Sequence, residues 1–255
     1  MKSQIPSDIP QHGQFIQSEN LKSQEYLNQI NPWTEDHKMI ISEKKTKAMI
    51  FNFTDKFQFT TRLQLKVKNV EVVDQIKILG TVVKSDLSWE ENCRLLIKKV
   101  NDRMQLLRGV LSFGASLQEM VHLWIVFCRS VIEQSCVVWH GSLTQENRDN
   151  LKRTQKTFAK LVLKEKYLNY ENALLLLNLD SLETRQNALS LKFAQAGIKH
   201  NKLNDILPTN NKKHKMETRA KEKYEVQFAN TDRMKNASII TMQHMLNANE
   251  NTDNT

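Results

Sequence analysis

The sequence predicts an α+β chain in which a small antiparallel sheet and one helix come first and a helical bundle follows. Six glycines and four prolines in 255 residues are too few for a turn-rich β-sandwich. Between residues 47 and 83 the apolar residues come in short runs and partial alternations, the period of strands. From Ser88 onward they recur at spacings of three and four with little interruption, the period of helices.

Residues 1–17 hold Pro6, Pro10 and Gly13 without periodicity and are expected to be irregular. The segment 18–86 opens with Ser18 as a helix cap, and the helix runs to about His37 with Leu21, Tyr26, Ile30 and Trp33 on one face and Pro32 as a potential kink. Ala48 to Phe53 reads as a buried strand. Phe57 to Val67 alternates through Phe59, Leu63, Leu65 and Val67, and a tight turn is expected at Asn69. Val70–Val73 and Ile76–Val83 then continue an antiparallel meander.

The segment 87–207 is expected to be helical throughout. Ser88 is a candidate N-cap for a helix whose stripe is Trp89, Cys93, Leu96, Val100, Met104, Leu107 and Leu111, with Glu90 and Glu91 in the first turn and Gly114 at its end. Leu117–Trp139 is apolar nearly all round and reads as the central helix. Its length would span a membrane, but Glu119, His122, Arg129 and Glu133 argue for burial in protein. Thr144 starts a further helix with Leu151, Thr154, Phe158, Leu161 and Val162 inward. Asp180 with Glu183 resembles a capping box for a last helix to about His200. In 208–255 a polar linker around Lys212, Lys213 and Lys215 precedes a candidate strand, Tyr224–Phe228, and a tail from Asn247 expected to be disordered.

Thirty-seven basic against twenty-eight acidic residues give a net charge of +9, a bias toward polyanions. Cys93, Cys128 and Cys136 are odd in number and lack C-x-x-C spacing, which argues against a disulfide framework or a zinc site and fits a reducing compartment. The seven histidines (12, 37, 122, 140, 200, 214 and 244) show no H-x-x-x-H or H-x-D spacing. There is no glycine-rich phosphate loop and no G-x-S-x-G. The N-terminus is polar and no signal peptide, so an intracellular protein, nuclear or cytoplasmic, is expected, with no membrane association and no cofactor.

The basic residues fall into groups. Lys45 and Thr46 enter the first strand, where an exposed turn is the plain explanation. Gly80 follows Lys77 inside a strand pattern, where a bulge or a close backbone approach is expected. Lys98, Lys99, Arg103 and Arg108 lie on the first long helix of the bundle. Lys152, Arg153, Lys156 and Lys160 lie on the next basic one. A solvated basic face is the default for such runs. Lysines at helical spacing also suit phosphate contacts that position a nucleic acid without reading its sequence.

The phrase Lys44-Lys45-Thr46-Lys47-Ala48-Met49-Ile50-Phe51-Asn52-Phe53, followed by Lys77-Ile78-Leu79-Gly80 and Asp86-Leu87-Ser88-Trp89, resembles the end of the palm in non-LTR (LINE-type, jockey-like) retrotransposon reverse transcriptases. Leu151-Lys152-Arg153-Thr154-Gln155-Lys156 is similar to a basic helix of that family, and the likeness runs on to Met242–Asn247. The resemblance implies a palm remnant at 18–86, a helical thumb and connection region at 87–207, and an RNA-directed DNA polymerase origin. It places Lys45, Thr46, Lys77 and Gly80 near nucleotide and primer, although the family's asparagine three residues before the lysine is Ser42 here. It implies a chain beginning after the catalytic Asp-Asp pair and so lacking polymerase activity, since a divalent metal would need those aspartates. It also implies weak, non-specific binding of RNA or an RNA–DNA hybrid, with an upstream palm as a further partner. Two alternatives stand beside it. One is a protein-interaction or structural fragment. The other is a segment labelled as the N-terminal region of a tRNA-modifying AlkB homologue, without that enzyme's iron ligands or methyl-donor loop.

Overall fold

The structure is a computed structural model and describes residues 12–53, 63–199, 224 and 226–253. The chain divides into two compact units, Met1–Ser88 and Trp89–Thr255. Mixed helix and small sheet make it α+β.

In the first unit, α1 spans His12–Asp36 and carries Pro32 inside it. The helix starts before Ser18, so Ser18 is not its cap and residues 12–17 are helical rather than irregular. Its apolar residues Tyr26, Ile30 and Trp33 are exposed. What ties α1 down is polar. Gln24 Nε2 donates to Gln64 O (2.9 Å) and Gln24 Oε1 accepts from Gln64 N (2.8 Å), so the side-chain amide pairs with β2 as another strand would.

The strands are β1 (Lys47–Ala48), β2 (Gln64–Leu65), β3 (Lys68–Asn69), β4 (Glu71–Val72), β5 (Gln75–Ile78) and β6 (Thr81–Lys84). Among the described residues they form three separate two-stranded ladders, β1–β4, β2–β3 and β5–β6, and the first is parallel. The sequence predicted one antiparallel meander. Alternation tells which face a residue presents, not which strand lies beside it, and two-residue strands leave the pairing to the loops. The strand expected at Ala48–Phe53 stops at Ala48, with Phe51 and Phe53 exposed. The turn expected at Asn69 lies at Lys66–Val67, with Lys66 left-handed (φ 56°). Phe57 and Phe59 lie outside the described residues.

In the second unit, α2 (Glu90–Ser112) buries Cys93, Leu96, Val100, Met104 and Leu107, the stripe expected from spacing. Its N-cap is Trp89 rather than Ser88, whose N–H instead donates to Asp86 Oδ1 (2.9 Å). Gly114, at φ 90°, follows the C-cap. The expected single helix over 117–139 is broken. It consists of α3 (Leu117–Leu123), a π-helical stretch (Trp124–Arg129), α4 (Ser130–Glu133) and α5 (Cys136–Trp139). Gln134 leaves the helix and Ser135 turns left-handed (φ 52°), while Trp139 Nε1 donates to Gln134 O (3.2 Å). Hydropathy read this region as one element because apolar residues line both sides of the break.

The remaining elements are α6 (Gln145–Leu163), a 3-10 turn (Lys164–Lys166), α7 (Tyr170–Leu177), α8 (Leu182–Ile198), α9 (Asp232–Lys235) and α10 (Ser238–Asp253). Thr144 caps α6 as expected. The cap of α8 is Ser181, one residue later than the Asp180–Glu183 pair suggested, because the Ser181 hydroxyl reaches Thr184 N (3.0 Å). The candidate strand after Tyr224 is irregular over 226–229, and Asn247, expected in a disordered tail, is buried in α10. Its side chain brackets Tyr224, accepting from the backbone N–H (3.0 Å) and donating to the carbonyl (3.1 Å). The polar linker around Lys212 lies outside the described residues. The core of the unit is Trp124, Trp139, Phe158, Met104, Met120 and Ile132, all shielded from water, with Trp124 stacked on Phe158 at 4.7 Å.

Candidate nucleic-acid interface

The geometry of α6 sorts its residues by chemistry. Leu151, Thr154, Gln155, Phe158 and Ala159 are buried. At about 100° per residue, Lys152, Arg153, Lys156 and Lys160 fall within an arc of about 100° on the opposite side, and all are exposed. Successive lysines at i, i+4 and i+8 stand about 6 Å apart along the axis.

Two of the lysines are seated. Lys152 Nζ lies 4.7 Å from the ring centroid of Tyr170, and Lys160 Nζ lies 5.4 Å from that of Tyr167. A ring face attracts an ammonium and narrows its range without neutralising it. Both rings come from the segment after α6, so the fold of the chain back onto the helix creates the seats. Helical spacing alone does not reveal Tyr167 and Tyr170; their signal in the sequence is aromatic residues interleaved with the end of a basic run. Arg153 is held by Asn150 Oδ1 (2.9 Å).

Tyr170 is itself anchored. Its hydroxyl donates to Gln155 Oε1 (2.6 Å), which also accepts from Leu182 N (3.2 Å), while Gln155 Nε2 donates to Asp180 O (2.9 Å). Burial pushes the Tyr170 hydroxyl up to about 12, so it remains a donor. One fully buried amide thus fixes α6, α7 and the start of α8 together.

The basic residues of α2 do not form one stripe. Lys99 and Arg103 are about 40° apart around the axis, but Lys98 stands about 100° from Lys99 and about 140° from Arg103. Lys98 and Arg108 are exposed, and Lys99 and Arg103 are half-buried. Arg103 Nη1 donates to the carbonyl of Phe127 in the π-helical stretch. A π-turn shifts the register of helical bonding, and Arg103 takes up a carbonyl there. Its guanidinium therefore serves the fold. Arg94 is paired with Glu91 (2.6 Å).

In the first unit, Lys45 is exposed in a turn whose N–H donates to Ser42 O (3.1 Å). Thr46 closes the same turn, its hydroxyl donating to Ser42 O (2.9 Å). Lys77 is exposed on β5 opposite Val82. Gly80 is not in a bulge. It is the second residue of the tight β5–β6 turn at φ 93°, preceded by Leu79 at φ 48°.

Burial raises the thiols, Cys93 to about 12 and Cys128 and Cys136 to about 11, which keeps them protonated and unreactive. Among the described residues no group of three or more His, Cys, Asp or Glu is placed to hold a metal, and no helix is long and apolar enough to cross a membrane. Comparison with known proteins yields no match to a family model, to a curated protein or to a solved structure.

Proposed function

We propose that the chain binds nucleic-acid backbone through the exposed face of α6, weakly and without sequence preference. The observation that carries this is the row Lys152, Arg153, Lys156 and Lys160 on one side of a helix, with Lys152 and Lys160 seated over tyrosine rings. An isolated charged side chain on a surface loses rotamer freedom when it binds phosphate. A lysine already confined over a ring loses less. The net charge of +9 draws polyanions toward the whole chain.

The resemblance of the quoted phrases to non-LTR reverse transcriptases gives this binding an origin: the part of such a polymerase that follows its catalytic aspartates. No two aspartates are adjacent anywhere in the 255 residues, and two-metal phosphoryl transfer depends on carboxylates that hold the ions in register. Residues 1–255 are accordingly expected to extend no primer. Template-dependent extension above a mock preparation would overturn that expectation.

A second reading, a protein-interaction fragment, is favoured by a different observation. Leu106 and Val110 of α2 and Phe113 at its C-cap form an exposed apolar row, and Val110 and Phe113 line an open groove of about 680 Å³ with Leu123 of α3. Titrating labelled RNA and an RNA–DNA hybrid at low and raised salt separates the two. Salt-sensitive binding of both supports the backbone reading, and absence of binding at low salt favours the groove.

A further inference from the structure

The turn between α5 and α6 holds a buried histidine whose ring is half satisfied. His140 is 2% exposed. Its Nε2–H donates to Asn187 Oδ1 on α8 (2.8 Å), and its Nδ1 has no hydrogen-bond partner. The charged groups that face it are Arg148 from α6, which disfavours a charged ring, and Glu183 from α8, which favours one; the uncharged Gln186 side chain lies within hydrogen-bonding reach and also favours the charged ring. On the other side the turn meets the C-terminal region, where Asn236, Ser238 and Thr241 are polar but uncharged.

That second contact is tight. A Cβ placed on Gly141 would stand 2.9 Å from Thr241 Oγ1, 3.1 Å from Asn236 O and 3.3 Å from Ser238 Cα. Ser142 Oγ donates to Asn236 O (3.1 Å) and Ser238 Oγ donates to Val138 O. The apolar seat of α10 lies largely on α8: Met242 and Leu246, with Tyr224, pack against Ala194, Leu191, Ile198 and Val137, and Ile240 is buried as well. Among the described residues, the hydrogen bonds from this region to α5 and the turn, Ser238 to Val138 and Ser142 to Asn236, lie within two residues of His140. By contrast α2 and α6 share the large core around Trp124 and Phe158.

We propose that His140 is an acid-operated latch for the C-terminal helix: protonation of its imidazole loosens the 138–142 turn and releases α10 from α5 and α8. A charged ring would sit buried beside the Arg148 cation, a cost that the Asn187 and Gln186 side chains only partly offset, and opening the turn to water relieves it. Burial, followed in weight by the Asn187 hydrogen bond that opposes it, leaves the imidazole below its ordinary value of 6.5. The sign follows. The closed form holds the ring neutral while the open form binds a proton at its ordinary value, so closure is unimpaired above about 6.5 and weakens as pH falls below it. One extra proton on the open form changes the open population by at most about tenfold per pH unit.

Hydrogen exchange of the whole chain at pH 7.5, 6.5 and 5.5, corrected for the intrinsic exchange rate, tests this. Amides of α10 should lose protection by up to about tenfold per unit below pH 6.5, while α2 and α6 keep theirs. His140→Gln, which keeps a donor for Asn187 and cannot ionise, should abolish the pH dependence; His244, exposed on α10, is present in both proteins and cancels. Gly141→Ala should release α10 already at pH 7.5. Protection of α10 that is constant from pH 7.5 to 5.5, or that falls together with α2 and α6, would overturn the proposal in the wild-type chain alone, whether or not the variants fold. An unchanged pH dependence in a folded His140→Gln protein would overturn it as well.

Discussion

Tyr170 donates its hydroxyl to Gln155 at 2.6 Å and offers its ring face to the ammonium of Lys152 at 4.7 Å. One aromatic residue thus couples a buried hydrogen-bond hub to an exposed cation. Gln155 is the hub: with Tyr170, Leu182 N and Asp180 O it satisfies both ends of its amide while 0% exposed. Gln155→Leu would strand the buried Tyr170 hydroxyl and Leu182 N–H and take a partner from the Asp180 carbonyl, and is expected to cost about 3 kcal/mol. Tyr170→Phe removes one bond, leaves Gln155 Oε1 the Leu182 N–H and keeps the ring, so about 1 kcal/mol is expected. Urea unfolding of both variants checks the order; an equal loss would mean the amide is not the hub.

A second expectation concerns the β5–β6 turn. Leu79 sits at φ 48° and is 90% exposed, with Gly80 at φ 93° behind it. Positive φ at both central positions is the turn that Asn-Gly adopts most readily, and a leucine there works against its own Cβ. Leu79→Asn should therefore stabilise the first unit by about 0.5–1 kcal/mol, and Gly80→Ala should cost about 1 kcal/mol or more. Melting temperatures should move in opposite directions for the two changes.

Arg103 provides a third. Since its guanidinium donates to Phe127 O, Arg103→Ala is expected to lower stability by about 1–2 kcal/mol, in the range for a charge-assisted bond that is only partly shielded. RNA affinity, measured where the variant is still folded, should stay within about twofold of the wild type. A large loss of affinity with an unchanged melt would return Arg103 to the phosphate-contacting set.

The α2 stripe and the inward face of α6 were legible because a 3.6-residue period buried on one side has one solution: Cys93, Leu96, Val100 and Met104 could face only inward. Strand partners were not legible. Ala48 pairs with Val72 in parallel because chain geometry brings them together, and nothing in the alternation of either segment says so. The break at Gln134–Ser135 was hidden for a related reason, since buried residues on both sides of a kink read as one apolar run. At the candidate site, spacing alone grouped Lys152, Arg153, Lys156 and Lys160 on one helix, with the three lysines at i, i+4 and i+8. It could not see the tyrosine seats, which depend on a reversal of the chain after Leu163. On α2 membership of one helix was not enough: Lys99 and Arg103 lie about 40° apart around the axis, but Lys98 stands about 100° from Lys99 and about 140° from Arg103.

The central claim is that the α6 face meets phosphates, and the salt dependence of RNA binding tests it most directly. With about four phosphates neutralised, the logarithm of affinity should fall against the logarithm of salt with a slope of roughly −3 to −4. Lys152, Lys156 and Lys160 changed together to Gln should flatten that slope and leave the fold intact, with at most about 1–2 kcal/mol lost with the two ring contacts, because all three side chains are exposed and away from Leu151 and Phe158. A triple variant that keeps the full slope, or a wild-type chain that shows no salt-dependent binding, would contradict the account.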